Sequence, residues 1–264
     1  MTAHFLHLIR PEYSFSGLVI GFLVGLTGVG GGSLMTPLLV LLFGIPATTA
    51  VGTDLLYACV TKSVGTTVHG FSGTVDWRIV LRMASGSVPG TALTLIVLAH
   101  YQKRLDDGSH LLTSVLGFAL ILTAVSLVFR RRILNFFAGL AERLSARTRT
   151  IYTILLGFVL GILVSLSSVG AGAIGVTVLL ILYPKLPASK LVGSDIAHAV
   201  PLTLVAGIGH WLLGSIDGLL LGSLLVGSLP GIVIGSFVAS RVPDKFLRPI
   251  LAGTLAVVGA RLSL

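Results

Sequence analysis

The sequence predicts an all-α polytopic membrane protein of two inverted repeats, each a re-entrant glycine-broken helical hairpin followed by three transmembrane helices. Three observations carry that prediction. Of 264 residues, 54% are hydrophobic and only 10% are Asp, Glu, Lys or Arg. An ordinary soluble domain carries roughly 25% charged residues, so this chain has too little charge to cover a water-exposed surface. The apolar residues gather into eight blocks, at about 15–43, 50–71, 79–100, 111–129, 151–183, 191–213, 216–238 and 246–262. The third observation is a duplication. Gly17, Gly21, Val29, Gly30 and Gly32 recur 140 positions later as Gly157, Gly161, Val169, Gly170 and Gly172, and after one inserted residue Val51-Gly52-Thr53-Asp54-Leu55 recurs as Val192-Gly193-Ser194-Asp195-Ile196. The later offset also pairs His69 with His210, Asp76 with Asp217 and Ser87-Val88-Pro89-Gly90 with Ser228-Leu229-Pro230-Gly231.

Block one is about 30 residues long, more than the roughly 20 a simple span needs, and Gly28-Val29-Gly30-Gly31-Gly32 cuts it in the middle. It is too long for a secretory signal and lacks a small-residue cleavage site, so it is expected to stay in the mature protein. Blocks two, three and four suit single spans, and Pro89 falls inside the third, where a kink would make a cavity or hinge. A basic stretch follows. Ile133, Phe137, Leu140 and Leu144 lie on one helical face with arginines opposite, which fits a helix flat on the inner membrane surface or a solvated connector. Block five repeats the design of block one, with Gly170-Ala171-Gly172 at its centre. Blocks six to eight are again single spans, with Pro230 placed like Pro89. The domains read as 1–130, a linker at 131–150, and 151–264, with hairpins at about 15–43 and 151–183.

Charge sets the orientation. The net charge of +9 sits between apolar blocks rather than on a basic face, so it reads as topogenic and not as a nucleic-acid surface. With eight full crossings the lysines and arginines divide almost evenly. If blocks one and five dip in and return, the inner side gathers Arg78, Arg82, the linker arginines, Lys185, Lys190, Arg241, Lys245 and Arg248, leaving Arg10, Lys103, Arg104 and Arg261 outside. Lysine and arginine accumulate on the cytoplasmic side, so the inverted arrangement with both termini outside is preferred. The single cysteine, Cys59, lies in an apolar run and offers neither an intramolecular disulfide nor a Cys-based zinc site. No cofactor or metal is expected.

Backbone that leaves the helix inside a bilayer needs protein or water to satisfy it, so two glycine breaks at matching depth imply a hydrated interior. Each second half-helix would point its amino end inward, and such ends attract anions. Gly28, Gly30, Gly31, Gly32, Ser33, Gly170 and Gly172 are therefore the candidate substrate-binding backbone, with Thr53 and Ser194 beside them; close helix packing is the plainer role for these glycines. Lys62 is the one lysine inside a full span. An isolated charge there costs about 2.5 to 3.5 kcal/mol, so it needs an anion or a carboxylate. Asp54 and Asp195 are read as ties for the hairpins. His69, His198 and His210 are the candidates for a proton relay, against simple hydrogen-bonded packing.

The run Gly-Leu-Thr-Gly-Val-Gly-Gly-Gly-Ser at 25–33, with Pro37, Gly44-Ile45-Pro46 and Val51-Gly52-Thr53-Asp54, resembles the amino-terminal signature of the TauE/SafE sulfite exporter family, over essentially the whole chain. The resemblance implies a multi-pass inner-membrane transporter of sulfite, thiosulfate, sulfoacetate or another sulfonate, as in permeases for 4-toluene sulfonate. The second copy departs from the pattern, with Ala171 and Ala173 where Gly31 and Ser33 stand in the first. No phosphate loop occurs, so a gradient or a partner must supply energy. A secondary anion transporter is the leading expectation, with proton or ion coupling and a homodimer left open. A passive anion channel and an intramembrane hydrolase using Ser33 or Ser168 with His69 or His198 are the competitors.

Overall fold

A computed structural model describes residues 10–27, 32–102, 108–142, 144–239, 253 and 255–262. All the regular structure among them is helical: α1 Pro11–Thr27, α2 Gly32–Phe43, α3 Ala47–Phe71, α4 Trp77–Gln102, α5 Gly108–Glu142, α6 Ala146–Ser167, a π turn Ala171–Gly175 running into α7 Val176–Leu182, α8 Ala188–Leu212 and α9 Gly218–Ala239. Residues 255–262 are helical as well. Five helices, α4, α5, α6, α8 and α9, are long and apolar enough to cross a bilayer. Large apolar side chains such as Leu81, Ile96, Phe118, Ile151 and Val233 cover the outside, a surface that suits lipid and not water. The chain is a multi-pass membrane protein.

Glycine explains which helices meet. In lipid, association depends on close packing, and small residues let two backbones touch. Gly17 and Gly21 of α1 rest on the backbones of Leu224 and Ser228 of α9, while Gly227 and Gly231 rest on Ser14 and Leu18. The same four contacts recur between α6 and α4: Gly157 and Gly161 on Met83 and Ser87, Gly86 and Gly90 on Ile154 and Phe158. Each pair of helices runs parallel, and each joins the first helix of one half to the other half. The duplicated glycines thus make matching contacts in space, with the packing exchanged between halves.

The equivalent helices α3 and α8 pack on each other in the opposite sense. Gly52 faces Ser215, Gly207 faces Leu56, Gly65 faces Ile196 and Gly193 faces Thr74. Residue numbers rise on one helix as they fall on the other, so α3 and α8 are antiparallel along their whole contact. Leu55, Met83, Leu160, Leu179 and Leu202 form a core between this pair, α4, α6 and α7.

In each glycine-interrupted block a contact joins the two flanking helices. Gly28, Gly30 and Gly31 lie outside the described residues, but the helices on either side return to each other: the rings of Tyr13, at the start of α1, and Phe43, at the end of α2, are 4.8 Å apart. In the second half α6 stops at Ser167, Ser168 adopts the left-handed conformation and Gly170 has φ 109°. The chain then folds back until the Tyr183 hydroxyl is 2.9 Å from Thr153 Oγ1. These closing contacts are equivalent, since Tyr13 matches Thr153 and Phe43 matches Tyr183.

One local expectation is corrected. The basic linker is not a separate helix, because α5 runs without interruption through Arg130, Arg131 and Arg132 to Glu142; no glycine or proline stands between the apolar and basic stretches to end it. Pro89 and Pro230 lie inside α4 and α9, and both face outward while the neighbouring Gly90 and Gly231 make the helix contacts.

Candidate functional site

The α3 and α8 crossing places the polar interior. Between the contacts Gly65 to Ile196 and Gly207 to Leu56, the middle of the crossing falls beside Thr61 and Lys62. Asp54 and Asp195 then lie on opposite sides of that centre, each about 10 Å away along its helix at 1.5 Å per residue. All three are buried, at 0%, 1% and 7% relative exposure for Asp54, Asp195 and Lys62. The duplication is broken here, because Thr203 stands where a second lysine would. One buried lysine thus stands between the levels of two buried aspartates.

Each aspartate lies against the returning segment of its own half. Thr36 of α2 donates a short hydrogen bond from Oγ1 to Asp54 Oδ2. In the second half a Cβ on Gly175 would fall against Asp195 Oδ1, so a glycine is needed for the π turn to pass this carboxylate. The interior here is polar: Asp54 Oδ1 and Asp195 Oδ1 are buried, as are the hydroxyls of Ser168, Tyr57 and Ser228. Ser168 faces Asp54 and Tyr57 faces Ser228.

The histidines separate by place. His198, fully buried on α8, meets Ser87 of α4 at 2.9 Å through Nε2, with Nδ1 unpartnered. Its equivalent on α3 is Tyr57, and the equivalent of Ser87 is Ser228, so His198–Ser87 and Tyr57–Ser228 are matching pairs. His210 Nε2 donates to the Ser165 carbonyl at 2.9 Å, next to the second break. His69 is engaged at the end of its own helix, with Nδ1 2.9 Å from Thr74 Oγ1. It lies away from the polar centre.

Thr53 and Ser194 each accept a backbone N–H of the opposite half. Ser194 Oγ accepts the Asp76 backbone N–H at 2.8 Å and donates to the Lys190 carbonyl at 2.7 Å. Thr53 Oγ1 accepts the Asp217 N–H at 3.2 Å. Both hydroxyls tie the turn before a long helix of the opposite half. Gly32 begins α2, and Ser33 belongs to the same helix. Gly170 caps the π turn that contains Gly172, and a Cβ there would meet Leu163 at 2.7 Å. Thr36, Tyr57, Ser87 and Ser228 escaped the sequence reading as site residues, although the register that pairs Tyr57 with His198 was already visible in it. Among the described residues no group of three His, Cys, Asp or Glu is arranged to hold a metal.

The family model described as "Sulfite exporter TauE/SafE" matches residues 13–262. The chain is similar to "Probable membrane transporter protein YjnA" of Bacillus subtilis (strain 168), with 37% identity over 93% of this chain and 96% of the relative. It is also similar to "Probable membrane transporter protein YdhB" of the same organism, 30% identical over 91% and 95% of the two chains. An archaeal relative, "Probable membrane transporter protein MJ0441" of Methanocaldococcus jannaschii, is 24% identical over 81% of this chain and 76% of its own length. No solved structure matches. The relatives are named transporters rather than enzymes, and the hydrolase alternative falls with them.

Proposed function

We propose, since this chain belongs to the sulfite exporter TauE/SafE family of membrane transporters, that it is a secondary transporter of a small sulfur-containing or organic anion across the inner membrane. Sulfite, thiosulfate, sulfoacetate and other sulfonates are the substrate class. The observation that carries this reading is the position of Lys62, buried at the α3 and α8 crossing between Asp54 and Asp195. A buried ammonium at that depth is costly unless it is paired. An anion bound there would gain from the lysine and from the hydroxyls of this interior.

Two carboxylates against one lysine leave the empty centre with excess negative charge if all three are ionised. Anion entry is then favoured when a proton enters with it, and Asp54 and Asp195 are the groups that would carry it, with His198 beside them. That is the reading of the coupling: an anion and a proton share the site. The antiparallel packing of α3 on α8 supports inverted repeats, because equivalent helices that run in opposite directions across a bilayer are related by an axis in its plane. The fold-back contacts Tyr13–Phe43 and Thr153–Tyr183 support hairpins that return to the side they entered. The two halves would then rock about Lys62 and expose it alternately.

The test is anion flux into reconstituted vesicles with sulfite, thiosulfate, sulfoacetate and sulfate, each with and without a proton gradient. Gradient-dependent flux of at least one sulfur oxyanion agrees with the reading. Flux that follows the anion's own gradient alone, unmoved by pH, would favour a passive channel.

A further inference from the structure

We propose that a second anion site, separate from the Lys62 centre, lies where the second hairpin closes: a basic basin that binds a sulfate- or phosphate-type oxyanion. A cavity of about 650 Å³ opens there, lined by Asp76, Arg78, Arg82, Arg149, Tyr183 and Lys185. Among the described lining residues four are basic and one is a carboxylate. That carboxylate is engaged through one oxygen, since Asp76 Oδ1 accepts the Arg78 backbone N–H at 3.0 Å and starts α4. The guanidinium groups are held in place by one buried ring. Arg82 Nη1 donates to the Tyr183 hydroxyl at 3.2 Å, Arg149 stacks over the Tyr183 ring at 5.6 Å, and Thr153 bonds the same hydroxyl from below. Arg78 and Lys185 are exposed at the rim. Fixed guanidinium forks backed by an aromatic ring match the planar, bidentate recognition of oxyanions.

The duplication supplies an internal control. At the equivalent place in the first half, Leu219 and Ser223 stand for Arg78 and Arg82, Phe43 for Tyr183, and Gly44-Ile45 for Lys185-Leu186. The cap itself is kept, with Asp217 Oδ1 accepting from Leu219 and Leu220. Shared folding requirements therefore explain Asp76 but not Arg78, Arg82 and Lys185, whose equivalents are uncharged; the other end has Arg10, whose backbone N–H bonds Ser223 and whose guanidinium lies over the Tyr13 ring. A soluble substrate anion and the phosphate of an anionic lipid headgroup share the chemistry this basin offers. That the basin faces the cytoplasm rests on the inverted topology proposed above; the binding does not.

Purified Lys62→Met protein isolates the basin from the centre. Titration of this protein with sodium sulfate, followed by calorimetry, is expected to show a saturable site that weakens at least tenfold when Arg82→Gln and Lys185→Gln are added. The rim pair Arg78→Gln and Lys185→Gln, which leaves the Tyr183 contacts intact, should weaken it severalfold with an unchanged unfolding midpoint. A parallel arm releases the protein from nanodiscs of mixed phosphatidylglycerol and phosphatidylcholine into a native mass spectrometer. Phosphatidylglycerol retained by Lys62→Met and lost in the basin variants would identify a headgroup as the ligand, and sulfate binding without such retention a soluble anion. If neither sulfate nor phosphatidylglycerol is held, or if the basin variants hold them as well as their parent, the proposal fails. Flux through the unaltered protein would still stand as the separate test of transport.

Discussion

Ser194 Oγ accepts the backbone N–H of Asp76 at 2.8 Å, and the matching bond runs from Asp217 to Thr53 on the other side of the molecule. Each bond fastens the start of a long helix to a helix of the opposite half, so neither half closes its own turn alone. Ser194→Ala should therefore cost stability rather than substrate affinity. A buried hydrogen bond of this kind is worth about 1 kcal/mol, and more where a donor is left unpaired. Thermal unfolding in detergent should show a lower midpoint for Ser194→Ala, with the affinity for transported anion unchanged. A variant that keeps its midpoint and loses affinity would return Ser194 to the substrate site.

The glycine contacts predict a sharp difference between neighbours on one helix. A Cβ at Gly227 would stand 1.7 Å from the Ser14 carbonyl oxygen, whereas Gly222 has nothing within 4 Å. Gly227→Ala must push α9 off α1, at a cost of about 3 kcal/mol or more. Gly222→Ala should be neutral or stabilising by up to about 1 kcal/mol, since alanine favours the helix. Comparing the two unfolding midpoints decides whether the α1 and α9 contact has been read correctly.

How much of this could be seen in the sequence follows from what repeats. The duplicated glycines and aspartates gave the two halves, and the low charge gave the membrane. The break after Ser167 in block five was legible because glycines inside a long apolar run have few other uses. The exchange of partners between halves was not, since no local pattern says that Gly17 packs on Leu224 and not within its own half. Lys62 was visible as a buried charge, but its central place depends on the register of α3 against α8. Tyr57 and Ser87 were hidden because a tyrosine matched to a histidine does not look like a repeat until both face the same hydroxyl. The unbroken α5 was missed because a change from apolar to basic residues alters the surroundings of a helix without ending it.

The hairpins predict which loops share a side. In a Cys59→Ser background, Arg10→Cys and Pro46→Cys should both react with an impermeant thiol reagent from outside, while Arg78→Cys and Lys185→Cys react only from inside. Arg10 and Pro46 flank the first broken block, and labelling from opposite sides would mean that this block crosses the membrane.

Tyr183→Phe removes the hydroxyl shared by Thr153 and Arg82 while keeping the ring. The second hairpin should lose about 1 kcal/mol of stability, seen as faster hydrogen exchange over 176–186. Equal exchange rates in the two proteins would show that this hydroxyl does not hold the fold-back closed.

The central claim is that Lys62, between Asp54 and Asp195, holds the transported anion. Its most direct test is sulfur-oxyanion flux through Lys62→Met protein that has an unaltered unfolding profile. The account predicts flux reduced to the level of empty vesicles, with partial recovery in Lys62→Arg. Wild-type flux through folded Lys62→Met protein would contradict it.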